Sequence, residues 1–332
     1  MGVFWNAAEE RMRAGWRVLL QYLLYVTTYG LIAGVVAGAL LSFGIGSGQD
    51  SAGAELWALA ASAAAALGAA AGTVWLAGRL LDRRERPLRR EPLDGRWWSD
   101  LGFGLLLGGL LMSGIFSVEA AAGWIEVSAV ASVPAGAPSV LAVFAPVFRF
   151  ACAGIAEELI FRAYQIRNLA EGARFLPGID PKAAVLIGWV ASSLIFGIAH
   201  GSNPNASLLG TVNVAAAGIM LGAGYVLTGR LALPIGLHVS WNLFQGNVFS
   251  FPVSGLEPAG ATVLTVEQHG QNIWTGGAFG PEGGLLGLAA FASGTVAILL
   301  WVRLTRKEGA LVSGPAHVLD APNTARRPLE RP

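Results

Sequence analysis

The chain is short of charge, of lysine and of cysteine. Asp, Glu, Lys and Arg make up 13% of its 332 residues, about half the share of a soluble domain. That argues against an ordinary soluble enzyme. Only Lys182 and Lys307 are lysines; the other basic residues are arginines. A single cysteine, Cys152, excludes an intrachain disulfide, and one thiol alone makes no zinc site. Its apolar surroundings read as those of a small core residue. A net charge of +1 gives no reason to expect a nucleic-acid partner. The 45 glycines follow no three-residue period, which excludes a collagen-like fibre.

What the chain has is apolar length. Hydrophobic residues reach 54% and mean hydropathy is +0.56, so disorder is excluded for most of it. A bilayer core of about 30 Å needs about 20 apolar residues per helix. By that yardstick the fold class is all-α, a polytopic membrane bundle of about eight transmembrane helices. They fall near 18–43, 55–78, 101–118, 139–161, 183–200, 207–228, 231–250 and 284–303. The first run is too long for a signal peptide and reads as a retained span. Arginine and lysine cluster in alternate connections: before helix 1, between 79 and 96, between helices 4 and 5, at Arg230, and after helix 8. The connections near 44–54, 119–138, 201–206 and 251–283 have none. The alternation predicts both termini on the cytoplasmic face. The basic 79–96 segment then acts as a topology determinant. Three regions are expected: 1–100 with helices 1 and 2 and the basic segment, a core over 101–305, and a disordered tail over 306–332.

Ionisable residues inside membrane helices are costly and face partners or cavities. Three segments carry them. In Ala156-Glu157-Glu158-Leu159-Ile160-Phe161-Arg162, the adjacent carboxylates project about 100° apart. Glu158 and Arg162, four apart, are placed to pair, which leaves Glu157 on another face, available as a base. In Phe196-Gly197-Ile198-Ala199-His200, the histidine ends an apolar helix one turn after Phe196. In Leu237-His238-Val239-Ser240-Trp241-Asn242, His238 and Asn242 share a face and could stabilise an oxyanion. Structural hydrogen bonding is the competing reading of each, and the better one for Asn213. With these boundaries Glu157 and His238 lie toward the cytoplasmic side and His200 at the opposite side. Their convergence then requires a tilted or deeper helix 5, or a 201–206 connection sunk in the protein.

Glu-Glu-x-x-x-Arg, Phe-x-x-x-His and His-x-x-x-Asn, in that order on successive membrane helices, resemble the CPBP family. These are the CAAX prenyl protease and bacteriocin-processing (Abi) intramembrane endopeptidases. The motifs span 157–242, and the family-like helical core covers roughly 100–250. The resemblance implies Glu157 as the water-activating base, with Glu158 and Arg162 in support. It implies His200 as a helper in binding the water, and His238 and Asn242 as oxyanion stabilisers. It also favours a metal-free glutamate mechanism with no cofactor. One Glu with two His could bind zinc, although no His-Glu-x-x-His helix is present to preorganise it.

The implied function is hydrolysis of a peptide bond in a membrane-associated or lipidated peptide or protein, with the lipid bilayer as the other partner. A non-proteolytic membrane partner or immunity protein, a zinc-dependent version of the same protease, and a proton-relay transporter are the alternatives. The arginine-heavy, Ala- and Gly-rich composition suits a bacterial plasma membrane. There a prenylated substrate is not expected.

Overall fold

The computed structural model describes residues 3–7, 9–42, 51–85 and 91–306. Arg86, Arg89, Arg90, Lys307 and the rest of the 308–332 tail lie outside the described residues. The architecture is a helical bundle. Seven helical stretches are long and apolar enough to span a bilayer, and a shorter eighth lies among them. The helices are α1 (Ala14–Ser42), α2 (Ser51–Leu80), α3 (Gly95–Ala121), α4 (Ser139–Glu157), α5 (Arg167–Ala173), α6 (Pro181–His200), α7 (Leu208–Thr228), α8 (Ala232–Leu243), the four-residue α9 (Asn272–Thr275) and α10 (Leu285–Thr305).

Two stretches of π-helix interrupt the regular winding. One, Glu158–Ile166, joins α4 to α5 without a break, so a single helical rod runs over 139–173. The other, Phe244–Val248, extends α8. The span expected at 139–161 is therefore a dozen residues longer, and the connection after it is correspondingly short.

Small residues seat α8. A Cβ on Gly104 would lie 2.3 Å from the Leu233 carbonyl, one on Gly108 2.6 Å from the Leu237 carbonyl, and one on Gly236 2.4 Å from the Leu101 carbonyl. Only glycine permits α3 and α8 to approach that closely. Leu233 and Leu237 of α8 are fully buried against α3, α7 and α10. Asn213 of α7 donates to the Gly284 carbonyl at 2.7 Å, the structural hydrogen bond expected for it. Cys152 is free and buried.

At the arginine-rich end a buried charge network gathers the N-terminal segment, the end of α2 and α5. Arg17 pairs with Asp82 at 2.8 Å, Arg84 with Asp82 at 3.0 Å and with Glu171 at 2.8 Å, and Arg11 with Glu171 at 3.1 Å. Arg17 lies in the first turn of α1 rather than ahead of it.

The opposite end is partly β-structure. There strand β3 (Ile125–Ser132) pairs antiparallel with β4 (Thr262–Gln268), with a bulge between Val127 and Ala129, whereas the two-residue β1 (Trp5–Asn6) and β2 (Arg11–Met12) pair at the arginine-rich end. β3 and β4 lie in the connections 119–138 and 251–283, for which the sequence suggested no strand. Glu119, at the end of α3, anchors the ribbon by accepting from Gln268 Nε2 at 2.8 Å. A second tie starts at Pro146 in α4. Proline has no N–H, so the Ala142 carbonyl one turn earlier loses its helical donor. The Ala261 N–H takes that carbonyl at 2.8 Å. Asn247 then donates to the carbonyls of Ala259 and Ala261. The 251–261 strap is thereby fastened across α4 and the end of α8.

Candidate active site

The rod over 139–173 resolves the depth of the site. From Ala173 back to Glu157 it rises about 24 Å, and α6 rises about 28 Å from Pro181 to His200. Two antiparallel helices leaving a short turn therefore carry Glu157 and His200 to nearly the same level. The opposite-sides expectation came from ending the fourth span too early.

Glu157 closes α4, and Glu158 opens the π-helical stretch. The adjacent carboxylates have different surroundings. Glu158 is fully buried, and its Oε2 faces Arg162 Nε at 3.1 Å. Its Oε1 accepts from His238 Nδ1 at 2.9 Å. The Arg162 guanidinium lies 4.4 Å from the centre of the Phe196 ring. Its two terminal nitrogens have no hydrogen-bond partner, so the ring face takes the place of acceptors. Phe196 also meets Phe161 edge-on at 5.0 Å. Ser192 of α6 donates to the Phe161 carbonyl at 2.6 Å, which ties α6 to the π-helical backbone.

Glu157 is 27% exposed, and its Oε2 has no hydrogen-bond partner. That oxygen lies 3.9 Å from His200 Nε2 and 3.7 Å from His238 Nε2. His200 Nδ1 is 2.8 Å from the Phe196 carbonyl. A carbonyl only accepts, so His200 donates from Nδ1 and turns Nε2 toward Glu157. Both rings are thus pinned through Nδ1 and present Nε2 to one carboxylate oxygen. Asn242, one turn beyond His238 in α8, makes no side-chain hydrogen bond among the described residues and lines the same space. That space is a cavity of about 150 Å³.

The structure therefore brings Glu157, His200, His238 and Asn242 around one cavity, with Glu158 and Arg162 behind His238. Glu157, His200 and His238 are the donors a metal could use. Among the described residues no group of three His, Cys, Asp or Glu has the closeness of a metal centre.

Two cavity residues escaped the sequence reading. Arg149 lies in α4, and a lone arginine in an apolar helix is a signal that was there to be used. Glu282 lies in a short 3-10 turn, Pro281–Gly283, outside the spans, and gives no such signal. Its Oε1 accepts from the N–H and hydroxyl of Ser254, and its Oε2 accepts from Gln245. Asn203 Nδ2 donates to the Ser254 carbonyl at 3.1 Å. Glu282 is buried, which pushes its carboxyl up to about 7.

Residues 139–244 match the family model described as type II CAAX prenyl endopeptidase Rce1-like. That stretch is 106 of the 332 residues, and the match supports a likeness of this part of the chain to the CAAX-protease family. The matched stretch runs from the first residue of α4 past the end of α8, so it holds Glu157, Glu158, Arg162, His200, His238 and Asn242 but not Glu282. The match supports a membrane-embedded endopeptidase as the general class for this stretch. Neither a curated protein nor a solved structure matches the chain.

Proposed function

We propose that the protein hydrolyses a peptide bond of a membrane-associated or lipidated substrate with water activated by Glu157. The observation that carries this reading is the position of Glu157 Oε2 opposite two Nε2 atoms, at 3.7 and 3.9 Å. The carboxylate oxygen and the His200 Nε2 lone pair are two acceptors close enough together to receive both hydrogens of one water. Glu157 takes a proton as the water oxygen bonds to the peptide carbonyl carbon. The carbonyl oxygen becomes the oxyanion. Asn242 donates to it from its amide. His238 donates from Nε2 as the imidazolium, and the Glu158 carboxylate against Nδ1 balances that charge. As the C–N bond breaks, Glu157 returns its proton to the leaving amine.

No metal is needed for these steps. The pinned Nδ1 atoms are also what two metal-binding imidazoles use, so a zinc-dependent version is the second reading, separated by chelation. We also propose a bacterial plasma membrane as the location, on the arginine-heavy, Ala- and Gly-rich composition, and cytoplasmic termini, on the arginine alternation.

The test is cleavage of a quenched peptide library, lipidated and plain, by chelated protein in detergent, beside Glu157→Gln. The expected result is chelator-resistant cleavage that falls about 10²–10⁴-fold in the variant. Cleavage that survives in Glu157→Gln overturns the reading. Cleavage restored only by added zinc replaces the mechanism.

A further inference from the structure

A second cavity lies at the arginine-rich end, away from the chemistry. It holds about 320 Å³, more than twice the volume around Glu157. Its charged rim is the N-terminal segment and the first turn of α1, with Arg13 and Arg17. Its apolar wall is α5, the turn after it and α6, with Leu169, Leu176, Ile187 and Ala191. Leu176 and Ile187 are exposed, so the cavity opens on the outer, apolar surface of the bundle. Ala191 lies ten residues into α6 from Pro181, a rise of about 15 Å. That is about half of a 30 Å hydrocarbon core, the depth of one leaflet.

The ion pairs behind the rim hold more guanidiniums than carboxylates. Arg11, Arg17, Arg84 and Arg167 share Glu9, Asp82 and Glu171, and Arg13 adds a further cation on the cavity. Glu9, the one acid that lines the cavity, is held by Arg11 Nε at 2.8 Å. Arg17 is 1% exposed, and its Nε has no hydrogen-bond partner among the described residues. A buried donor left unpaired is costly, and more so on a charged group. The first turn of α1 carries no acidic residue. Its N–H groups add positive potential at Ala14 and Gly15, which also line the cavity.

We propose that this cavity binds one anionic phospholipid, with the phosphate at Arg13 and Arg17 and an acyl chain along Leu176, Ile187 and Ala191. A phosphate oxygen gives the Arg17 Nε–H the acceptor it lacks and balances the excess cation. The apolar wall takes a chain one leaflet deep, which a free phosphate does not have. Bound there, the lipid joins α1 to the rod that carries Glu157 and Glu158, because α5 continues that rod. The inference is independent of the peptidase reading.

The experiment uses the full chain in detergent micelles holding either phosphatidylglycerol or phosphatidylcholine, whose choline cancels the phosphate charge. Native mass spectrometry counts retained lipid, and thermal unfolding reads the stabilisation. Wild type should retain one phosphatidylglycerol about 10- to 100-fold more tightly than phosphatidylcholine, and should unfold at a higher temperature with it. Inorganic phosphate alone should give no such rise. Arg13→Gln should bring retention of phosphatidylglycerol down toward that of phosphatidylcholine. Ala191→Trp fills the apolar end and should lower retention of both lipids. Unfolding in phosphatidylcholine micelles checks that each variant is folded, and Arg13→Gln decides alone if Ala191→Trp is not. Equal retention of the two lipids by wild type overturns the proposal. Undiminished retention in the folded variants marks lipid held elsewhere on the bundle and also overturns it. A rise with inorganic phosphate as large as that with phosphatidylglycerol assigns the site to a free anion and overturns the lipid. Neither readout uses turnover, so the peptidase reading and this site stand or fall separately.

Discussion

His238 Nδ1 lies 2.9 Å from Glu158 Oε1, and that bond aims the opposite nitrogen of the ring at Glu157. Two neighbouring carboxylates thus serve one imidazole from its two ends. Glu158 holds the ring, and Glu157 faces what the ring presents. The division follows from the 100° step between adjacent helical residues.

The two glutamates should fail differently. Glu158→Gln breaks a buried pair with Arg162 and loosens His238. Removing one partner of a buried pair costs about 3–5 kcal/mol. Activity and thermal unfolding temperature should fall together. Glu157→Gln removes a carboxylate with no hydrogen bond at Oε2, so activity should fall at unchanged unfolding temperature. Thermal scans in detergent beside cleavage assays decide. Equal destabilisation by both variants would remove the distinction.

Asn242→Ala should cost about 10²–10³ in kcat, the usual loss for one oxyanion donor. KM should change little, because the donor acts on charge that develops in the transition state. A change confined to KM would assign Asn242 to substrate binding instead.

The strap around Ser254 should respond to pH through Glu282. Its folded carboxyl is raised to about 7 by burial, above the ordinary 4.5. A raised group contributes stability that is complete below the unfolded value. That contribution is lost as pH rises through the folded value. Hydrogen exchange at residues 253–256, corrected for intrinsic rate, should therefore show protection falling between about pH 5 and pH 8. Glu282→Gln should flatten the profile. Protection that rises with pH in wild type would contradict the assignment.

Gly108→Val should destabilise the bundle rather than the chemistry. A Cβ there meets the Leu237 carbonyl and the Ser240 side chain. Overpacking costs about 1–3 kcal/mol, occasionally more. A lower unfolding temperature with kcat preserved in the folded fraction is the expected result.

Most of the helical frame was legible, because long apolar runs between arginine clusters leave few alternatives. The span read at 101–118 is observed as Gly95–Ala121, and that at 207–228 as Leu208–Thr228. Less legible was the rod over 139–173. Its second half carries Arg162, Arg167 and Glu171, which look like the end of a span until their buried pairings are known. The β3–β4 ribbon left almost no trace, since its strands are more than a hundred residues apart and no hairpin turn joins them. For the site, spacing on single helices put Glu158 with Arg162 and His238 with Asn242 on common faces. It could not supply the distance from Glu157 to either histidine, which depends on how three helices pack.

Arg17 has a consequence for biogenesis. It is buried in the first turn of α1, yet its partners Asp82 and Glu171 lie 65 and 154 residues later. As the chain leaves the ribosome from its N-terminus, α1 is made long before the acids that neutralise it. Arg17 gains its first carboxylate, Asp82 at 2.8 Å, once α2 has been made, and its second, Glu171 at 3.4 Å, only when α5 has been synthesised. The charge network is therefore completed in two steps, the second of them after the helix bearing the two adjacent glutamates has been delivered.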